Sequence, residues 1–242
     1  MRGMLIWKMP ERGGGVIRLR ERSVLHTRFL CAEVARGPRT PAAVVRRRVA
    51  AAARRLGKAG VREVVLPEGF AYGEQLKKGG VEPVSTVPLR RAIAADWVRW
   101  SLAERGRPAA GGRVAVSAAA LTPEVARTVT ELALRHRYVL VDLPYGGEAL
   151  AAQLRKEYGV SLLLSPTQEQ LAEVDAAAVF DPGRLEPGPG RLSLYDETAA
   201  LPPLSLPPAL EEKLPAGASR GQLFSVLREA GALRPGQLSV GL

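Results

Sequence analysis

The residues best placed to do chemistry follow two apolar runs in the second half of the sequence. Ser117 ends the run RVAVS, and Asp142 ends the run YVLVD. In a strand–helix–strand unit, a carboxylate at the end of the second strand accepts hydrogen bonds from a ribose hydroxyl. Gly146 and Gly147 then precede a helical pattern, where free N–H groups can reach a ligand. These residues indicate a nucleotide-type ligand at the ends of strands.

The turn after Ser117 argues against a dinucleotide. Pyrophosphate binding needs glycines that let the backbone approach the ligand, and free N–H groups at the helix start. The turn reads SAAALTPEVART, without glycine, and Pro123 removes one N–H group. Glu124 adds a negative charge to the first helical turn, which repels a phosphate. We therefore predict a ligand site without a conventional dinucleotide, and no cofactor is identified. Its predicted residues are Ser117, Thr122, Asp142, Gly146 and Gly147.

Other chemistries find little support in the sequence. It contains no Gly-x-x-x-x-Gly-Lys-Ser/Thr motif, and no serine flanked by the glycines of a nucleophile elbow. One cysteine and two histidines exclude an intramolecular disulfide and a zinc site rich in these residues, so we predict no metal. Cys31 is expected to be buried and unreactive, and His136 to lie at a helix end. Asp142 with Asp181 is a candidate acid–base pair, and whether the protein is an enzyme stays open.

Alternating strand and helix patterns must position these residues. From residue 113 onward they predict strands at 113–117, 138–142, 160–165 and 176–181, separated by helices at 122–136, 147–158 and 166–173. Strands separated in this way form a mostly parallel sheet with helices on both faces. The layout over about 113–181 resembles Rossmann-like proteins, which implies an α/β fold with ligands at the carboxyl ends of the strands.

The N-terminal region predicts a small β-hairpin before this α/β body. Residues 4–9 and 15–20 are strand-like, and the run Gly13–Gly15 between them suits a turn. A third strand is predicted at 25–35. A helix with Thr40 as N-cap and Pro41 at its first position then presents one apolar face. That face consists of Val45, Val49, Ala52 and Leu56.

The chain is predicted to have three segments. Residues 1–106 hold the hairpin and an α/β segment, in which Trp97 and Trp100 are expected to pack in the core. Residues 107–198 form the Rossmann-like unit. Residues 199–242 form a Pro-rich tail with a short helix, whose apolar face must dock on the body of the protein or on a partner protein. That face comprises Leu223, Val226 and Leu227.

The positive charge is concentrated near the N-terminus. Residues 1–60 contain 15 Lys and Arg against 3 Asp and Glu, whereas the remainder contains 20 against 21. Such a segment can bind nucleic acid through phosphate contacts. The predicted contacts are Arg18, Arg20, Arg22 and Arg46 to Arg48. The competing explanation is compositional, because 29 of the 35 basic residues are Arg, as in a GC-rich bacterial genome.

The sequence carries no signal for a membrane or for export. No apolar run approaches the ~20 residues that span a bilayer, and the N-terminus lacks the pattern of a signal peptide. We expect a cytoplasmic protein with no membrane partner. Three functions follow: a non-catalytic module that binds a small ligand or a protein; an enzyme for a nucleotide-type substrate at the strand-end cleft; and a nucleic-acid-binding protein acting through its N-terminal segment.

Overall fold

A computed structural model describes residues 1–10, 16–108, 111–183, 185–186, 188–234 and 236–241. The predicted turn at Gly13–Gly15 lies outside these residues. The backbone divides into two compact units. Unit 1 comprises Met1–Thr86 and Leu204–Leu238, and unit 2 comprises Val87–Pro203 and Ser239–Leu242. The three-segment division predicted from the sequence stays a prediction.

The described residues form twelve strands and nine helices. In chain order they are β1 (Arg2–Lys8), β2 (Ile17–Val24), β3 (Thr27–Ala35), α1 (Ala42–Lys58), β4 (Glu63–Val65), α2 (Gly73–Lys77), β5 (Glu82–Pro83), α3 (Val87–Ala92), α4 (Ala94–Glu104), β6 (Arg113–Ser117), α5 (Pro123–Ala133), β7 (Tyr138–Asp142), α6 (Gly147–Tyr158), β8 (Leu163–Leu164), α7 (Gln168–Ala172), β9 (Ala176–Val179), β10 (Arg191–Ser193), β11 (Leu204–Ser205), α8 (Pro208–Glu211), α9 (Arg220–Glu229) and β12 (Ser239–Val240).

The sheet of unit 1 has the strand order β2-β3-β1-β4-β5. β1 runs parallel to β3, with Met4 opposite Cys31, and β2 runs antiparallel to β3. The predicted pairing of 4–9 with 15–20 was therefore wrong, and the N-terminal hairpin is formed by β2 and β3. The reason is burial: β1 buries Gly3, Met4 and Leu5 in succession, as a central strand does, whereas half of β2 is exposed at an edge.

Helices supply the rest of the core of unit 1. The predicted apolar face of α1 is confirmed, because its four residues are buried in one cluster with Leu5, Ala32 and Val64 of the sheet. α9 also belongs to this unit. Its Ser225 hydroxyl donates to the Ser85 carbonyl at 2.8 Å, and Leu223, Val226 and Leu227 are buried. This apolar face is thus docked on the body of the same chain.

The sheet of unit 2 is parallel throughout, with the strand order β10-β9-β6-β7-β8. The chain starts at β6, adds β7 and β8 on one side, and then returns to add β9 and β10 on the other. The strand order therefore reverses between β6 and β9, as in doubly wound folds, and the predicted Rossmann-like α/β class is confirmed.

Apolar side chains cover both faces of this second sheet. Val114 and Val116 face the larger cluster, which includes residues of α4, α5 and α6 and the buried Trp97. Ala115 and Leu140 face a smaller cluster with Leu171 of α7. Core packing of the tryptophans, Trp100 included, is confirmed. None of the helices within the described ranges has the length and apolar character that crossing a membrane requires.

Candidate functional site

A carboxylate of the protein itself closes the crevice at the ends of β6 and β9. Asp181 follows β9, and its Oδ2 accepts a hydrogen bond from the backbone N–H of Ala119 at 2.8 Å. Ala119 lies in the turn where dinucleotide-binding proteins offer N–H groups to a phosphate. A phosphate in this turn would have to replace Asp181 as the acceptor of this hydrogen bond and would lie beside the negative charge of Asp181. The Ala119 N–H is therefore not free to bind an anion.

Arg91 of α3 lies beside this carboxylate. Its Nη2 is 3.8 Å from Asp181 Oδ1, and its Nη1 is 3.5 Å from Glu124 Oε2. Nη2 also donates to the Phe180 carbonyl at 3.3 Å. Arg91 partly offsets the negative charge of Glu124, from which repulsion of a phosphate was expected. The hydrogen bond from Ala119 to Asp181 is what occupies the turn.

Ser117 and Asp142 are brought together as their positions predicted. The Ser117 hydroxyl donates to Asp142 Oδ2 at 2.7 Å, and the two residues are direct neighbours across β6 and β7. Ser117 is fully buried, and Asp142 is half-buried. Ser117 thus orients the carboxylate of Asp142. Asp142 and Asp181 accept hydrogen bonds from separate donors, and their role as an acid–base pair stays a prediction.

Thr122 is engaged in starting a helix. Its Oγ1 accepts a hydrogen bond from the Val125 N–H at 3.3 Å, and Pro123 occupies the first helical position. A hydroxyl used in this way satisfies one of the free N–H groups at a helix start. Thr122 and Pro123, both noted in the sequence, therefore serve to start α5.

A cavity of about 390 Å³ opens at the carboxyl ends of β7 and β8. Its lining includes two of the predicted site residues, Gly146 and Gly147. Asp142 adjoins this lining in the chain, between Val141 and Leu143. The complete lining is Val141, Leu143, Pro144, Tyr145, Gly146, Gly147, Glu148, Ala149, Leu164 and Ser165.

The backbone around this cavity adopts uncommon conformations. Gly146 has φ of 83°, and a Cβ atom there would lie 3.0 Å from the Leu121 side chain, so this position requires glycine. Ser165 has φ of 49°, which is strained for a residue with a side chain. Strain of this kind collects at ligand-binding sites. The strand pattern at 160–165 placed Ser165 at a strand end, but its backbone conformation was not predicted, because that conformation depends on the fold around it.

The cavity surface is polar for the larger part, and the lining is weakly acidic. Glu148 is the one charged residue among the described lining residues. Tyr145 is 84% exposed at its rim, and an exposed ring of this kind can stack on a flat ligand. The described lining residues include no cation that could neutralise a phosphate.

The cysteine and histidine side chains discussed in the sequence analysis are not among the lining residues of this cavity. Cys31 is buried, as expected, and burial raises the pKa of its thiol to about 11, with Arg22 opposing and Glu33 adding to the shift. His136 is buried just after α5. In the portion of the chain with described coordinates, no three His, Cys, Asp or Glu side chains converge as metal ligands.

The basic residues near the N-terminus do not form one surface. Ile17 and Leu19 of β2 pack on the α1 side of the sheet, so the alternating Arg18, Arg20 and Arg22 lie on the opposite side. Arg48 donates to the carbonyl of Ala35 and is partly buried. Arg46 and Arg47 of α1 are exposed.

Comparisons with known proteins add little to this description. No family model matches the chain, and no curated protein matches it. Among solved structures, the chain is similar to L-tryptophan dehydrogenase from Nostoc punctiforme, with 13% identity over 62% of this chain and a TM-score of 0.28. The match covers 44% of that protein's length. The fold and site define the chain as an α/β protein with a Rossmann-like unit.

Proposed function

We propose that the protein is a non-catalytic binding module for a small, uncharged ligand with a flat ring, held at the carboxyl ends of β7 and β8. The observation that carries this proposal is the cavity of about 390 Å³ lined by Leu143, Leu164, Tyr145 and the start of α6. Its volume lies within the range of small-molecule sites.

A nucleoside has the properties that this cavity favours. Its base can stack on Tyr145 and contact the leucine side chains, and its hydroxyl groups can reach backbone N–H groups at the start of α6. A phosphate group would meet Glu148 and no basic residue of the described lining. The neighbouring turn also has its Ala119 N–H bonded to Asp181. The ligand class is therefore nucleosides rather than nucleotides.

A non-catalytic role is supported by the polar groups near the cavity. Asp142 accepts the Ser117 hydroxyl, and Thr122 accepts the Val125 N–H. These groups position the sheet edge and a helix start. An enzyme would need a nucleophile or base in the cavity, and the lining residues of those types, Glu148 and Ser165, have no partner group assigned among the described residues that would activate them.

Thermal-shift and calorimetric titrations with nucleosides and their 5′-phosphates test this proposal. A ligand that binds the native state raises the melting temperature, and a concentration of 100 Kd stabilises by about 2.7 kcal/mol. We expect a shift with nucleosides and a smaller one with the corresponding phosphates. The absence of a shift with every uncharged ring compound at millimolar concentration would refute it.

Paired tyrosine variants locate the binding. Tyr145→Ala should weaken nucleoside binding on the order of ten-fold, because the ring at the rim is lost. Tyr158→Ala is the matched control, since Tyr158 is 51% exposed at the other end of α6 and outside the lining. Equal effects of the two substitutions would place the ligand elsewhere.

A further inference from the structure

Unit 1 has a strand-order reversal of its own, and an aromatic cluster lies there. After β1 the chain adds β3 on one side, and it then adds β4 on the other. Trp7 lies near the carboxyl end of β1, and Phe70 and Tyr72 follow β4. The Trp7 and Phe70 rings stack with centroids 5.8 Å apart, and Tyr72 meets both rings edge-on. Doubly wound sheets bind their ligands at such reversal points.

The rings of Trp7, Phe70 and Tyr72, here called the aromatic cluster, are partly accessible to a ligand. All three are half-buried against the core of unit 1. The exposed Arg36 holds its guanidinium 4.9 Å from the Trp7 ring centroid. Bases of nucleic acids stack both on aromatic rings and on arginine planes. The sequence did not single out this cluster, because its members come from separate segments.

A positively charged surface leads away from the aromatic cluster. Arg36 and Arg39 lie in the loop between β3 and α1, and both are exposed. α1 itself contains six basic residues and no acidic one. Arg47, Arg54 and Lys58, here called the basic stripe, lie on one exposed side of this helix.

Among the described residues, no acidic side chain forms an ion pair with the basic stripe. No carboxylate of the described residues lies within 4.0 Å of Arg47, Arg54 or Lys58. Like charges four positions apart, such as Arg54 and Lys58, weaken a helix. α1 has 17 residues and is therefore about 25 Å long. A surface of this length suits a chain of several phosphates.

We propose that unit 1 binds single-stranded nucleic acid. Unpaired bases stack at the aromatic cluster, and the phosphate backbone follows the basic stripe. A duplex keeps its bases inside the stack, and a free nucleotide has too few phosphates to use the stripe. The aromatic cluster distinguishes this site from a surface that binds any polyanion, because aromatic rings add nothing to the binding of a ligand without bases.

Fluorescence anisotropy with labelled single-stranded oligonucleotides tests the role of the stripe. Affinity should fall steeply with salt, with a log–log slope of about −0.7 for each phosphate neutralised. Combining Arg47→Ala, Arg54→Ala and Lys58→Ala should flatten the slope by about 2. The control combines Arg135→Ala, Arg155→Ala and Lys156→Ala, which removes three exposed charges of unit 2. Equal slopes in the two triple variants would overturn the proposal.

A second variant tests the role of the rings. Phe70→Leu keeps an apolar side chain against the core but removes the stacking surface, and it should weaken binding on the order of ten-fold. Trp7 fluorescence should be quenched by the oligonucleotide. Melting curves establish that each variant is folded, and the stripe variants decide the question if Phe70→Leu is not. Unchanged affinity in folded Phe70→Leu overturns the proposal, as does equally tight binding of inorganic polyphosphate or of the duplex.

Discussion

At the scale of single residues, Asp181 occupies a backbone N–H in the crevice of unit 2. Its carboxylate takes the Ala119 N–H, and Arg91 balances its charge. The alanine-rich turn was recognised in the sequence as unsuited to phosphate, but the side chain that fills it was not. Asp181 lies 62 residues from Ala119, and a contact over that distance becomes visible when the parallel pairing of β6 and β9 is known.

Replacing Asp181 tests this arrangement. Asp181→Ala should lower the free energy of unfolding by about 1 kcal/mol, since the side chain is 34% exposed and its hydrogen bond is partly screened. Asp181→Asn keeps an acceptor oxygen and should lose less. Urea denaturation measures both. If both variants were as stable as the parent protein, the hydrogen bond from Ala119 to Asp181 would have no energetic role.

Cys31 predicts a pH dependence of stability. Burial raises the pKa of its thiol from 9.0 to about 11, so the folded state binds this proton more tightly than the unfolded state. The stabilisation is complete below pH 9 and is lost as the pH rises toward 11. Urea denaturation of Cys31→Ala and of the parent protein between pH 8 and 11 isolates this contribution. A parallel pH dependence in the two proteins would contradict it.

At the scale of elements, local signals located the helices well. Pro123 and Thr122 start α5 as predicted. α1 begins at Ala42, with Pro41 as its N-cap, while Thr40 accepts a hydrogen bond from the Gly37 N–H at 2.8 Å instead of capping the helix. The pairing of β1 with β3 was missed, because partners in a parallel sheet are not encoded in adjacent sequence.

Two neighbouring arginines of α1 should differ sharply in their effect on stability. Arg48 donates to the carbonyl of Ala35 and ties α1 to the end of β3. Arg48→Ala should therefore cost about 1 kcal/mol. Arg47→Ala should be neutral or slightly stabilising, because it removes like-charge repulsion. Chemical denaturation of the two variants gives the comparison, and equal losses would contradict the assigned contact.

At the scale of the whole molecule, unit 1 is built from two separate stretches of chain. The second stretch contributes α9, with Phe224 and Leu227 fully buried. The Leu66 N–H donates to Gln222 at 2.8 Å, and the Ser219 N–H donates to the Leu66 carbonyl at 2.7 Å. The helix predicted as a docking element thus completes a core.

Truncating Phe224 tests whether that core depends on α9. Phe224→Ala should destabilise unit 1 by about 3–5 kcal/mol, the usual cost of removing a buried phenylalanine. Hydrogen exchange should then show lost protection in Met1–Thr86 ahead of Val87–Pro203. Leu134→Ala, at a position that is 51% exposed in unit 2, is the control. Uniform loss of protection in both units would contradict the division.

The two stretches of unit 1 are separated in the sequence, and this affects folding during synthesis. A ribosome releases Met1–Thr86 first, but the strands of this stretch lack α9 until Val87–Pro203, 117 residues, and the following segment have been made. At ordinary translation speeds that interval lasts on the order of ten seconds. During it, the nascent strands expose Met4, Phe29 and Val65, side chains that are buried in the finished protein. Val87–Pro203 of unit 2 can meanwhile fold, so Met1–Thr86 matures later than the residues that follow it and is the stretch most in need of a chaperone.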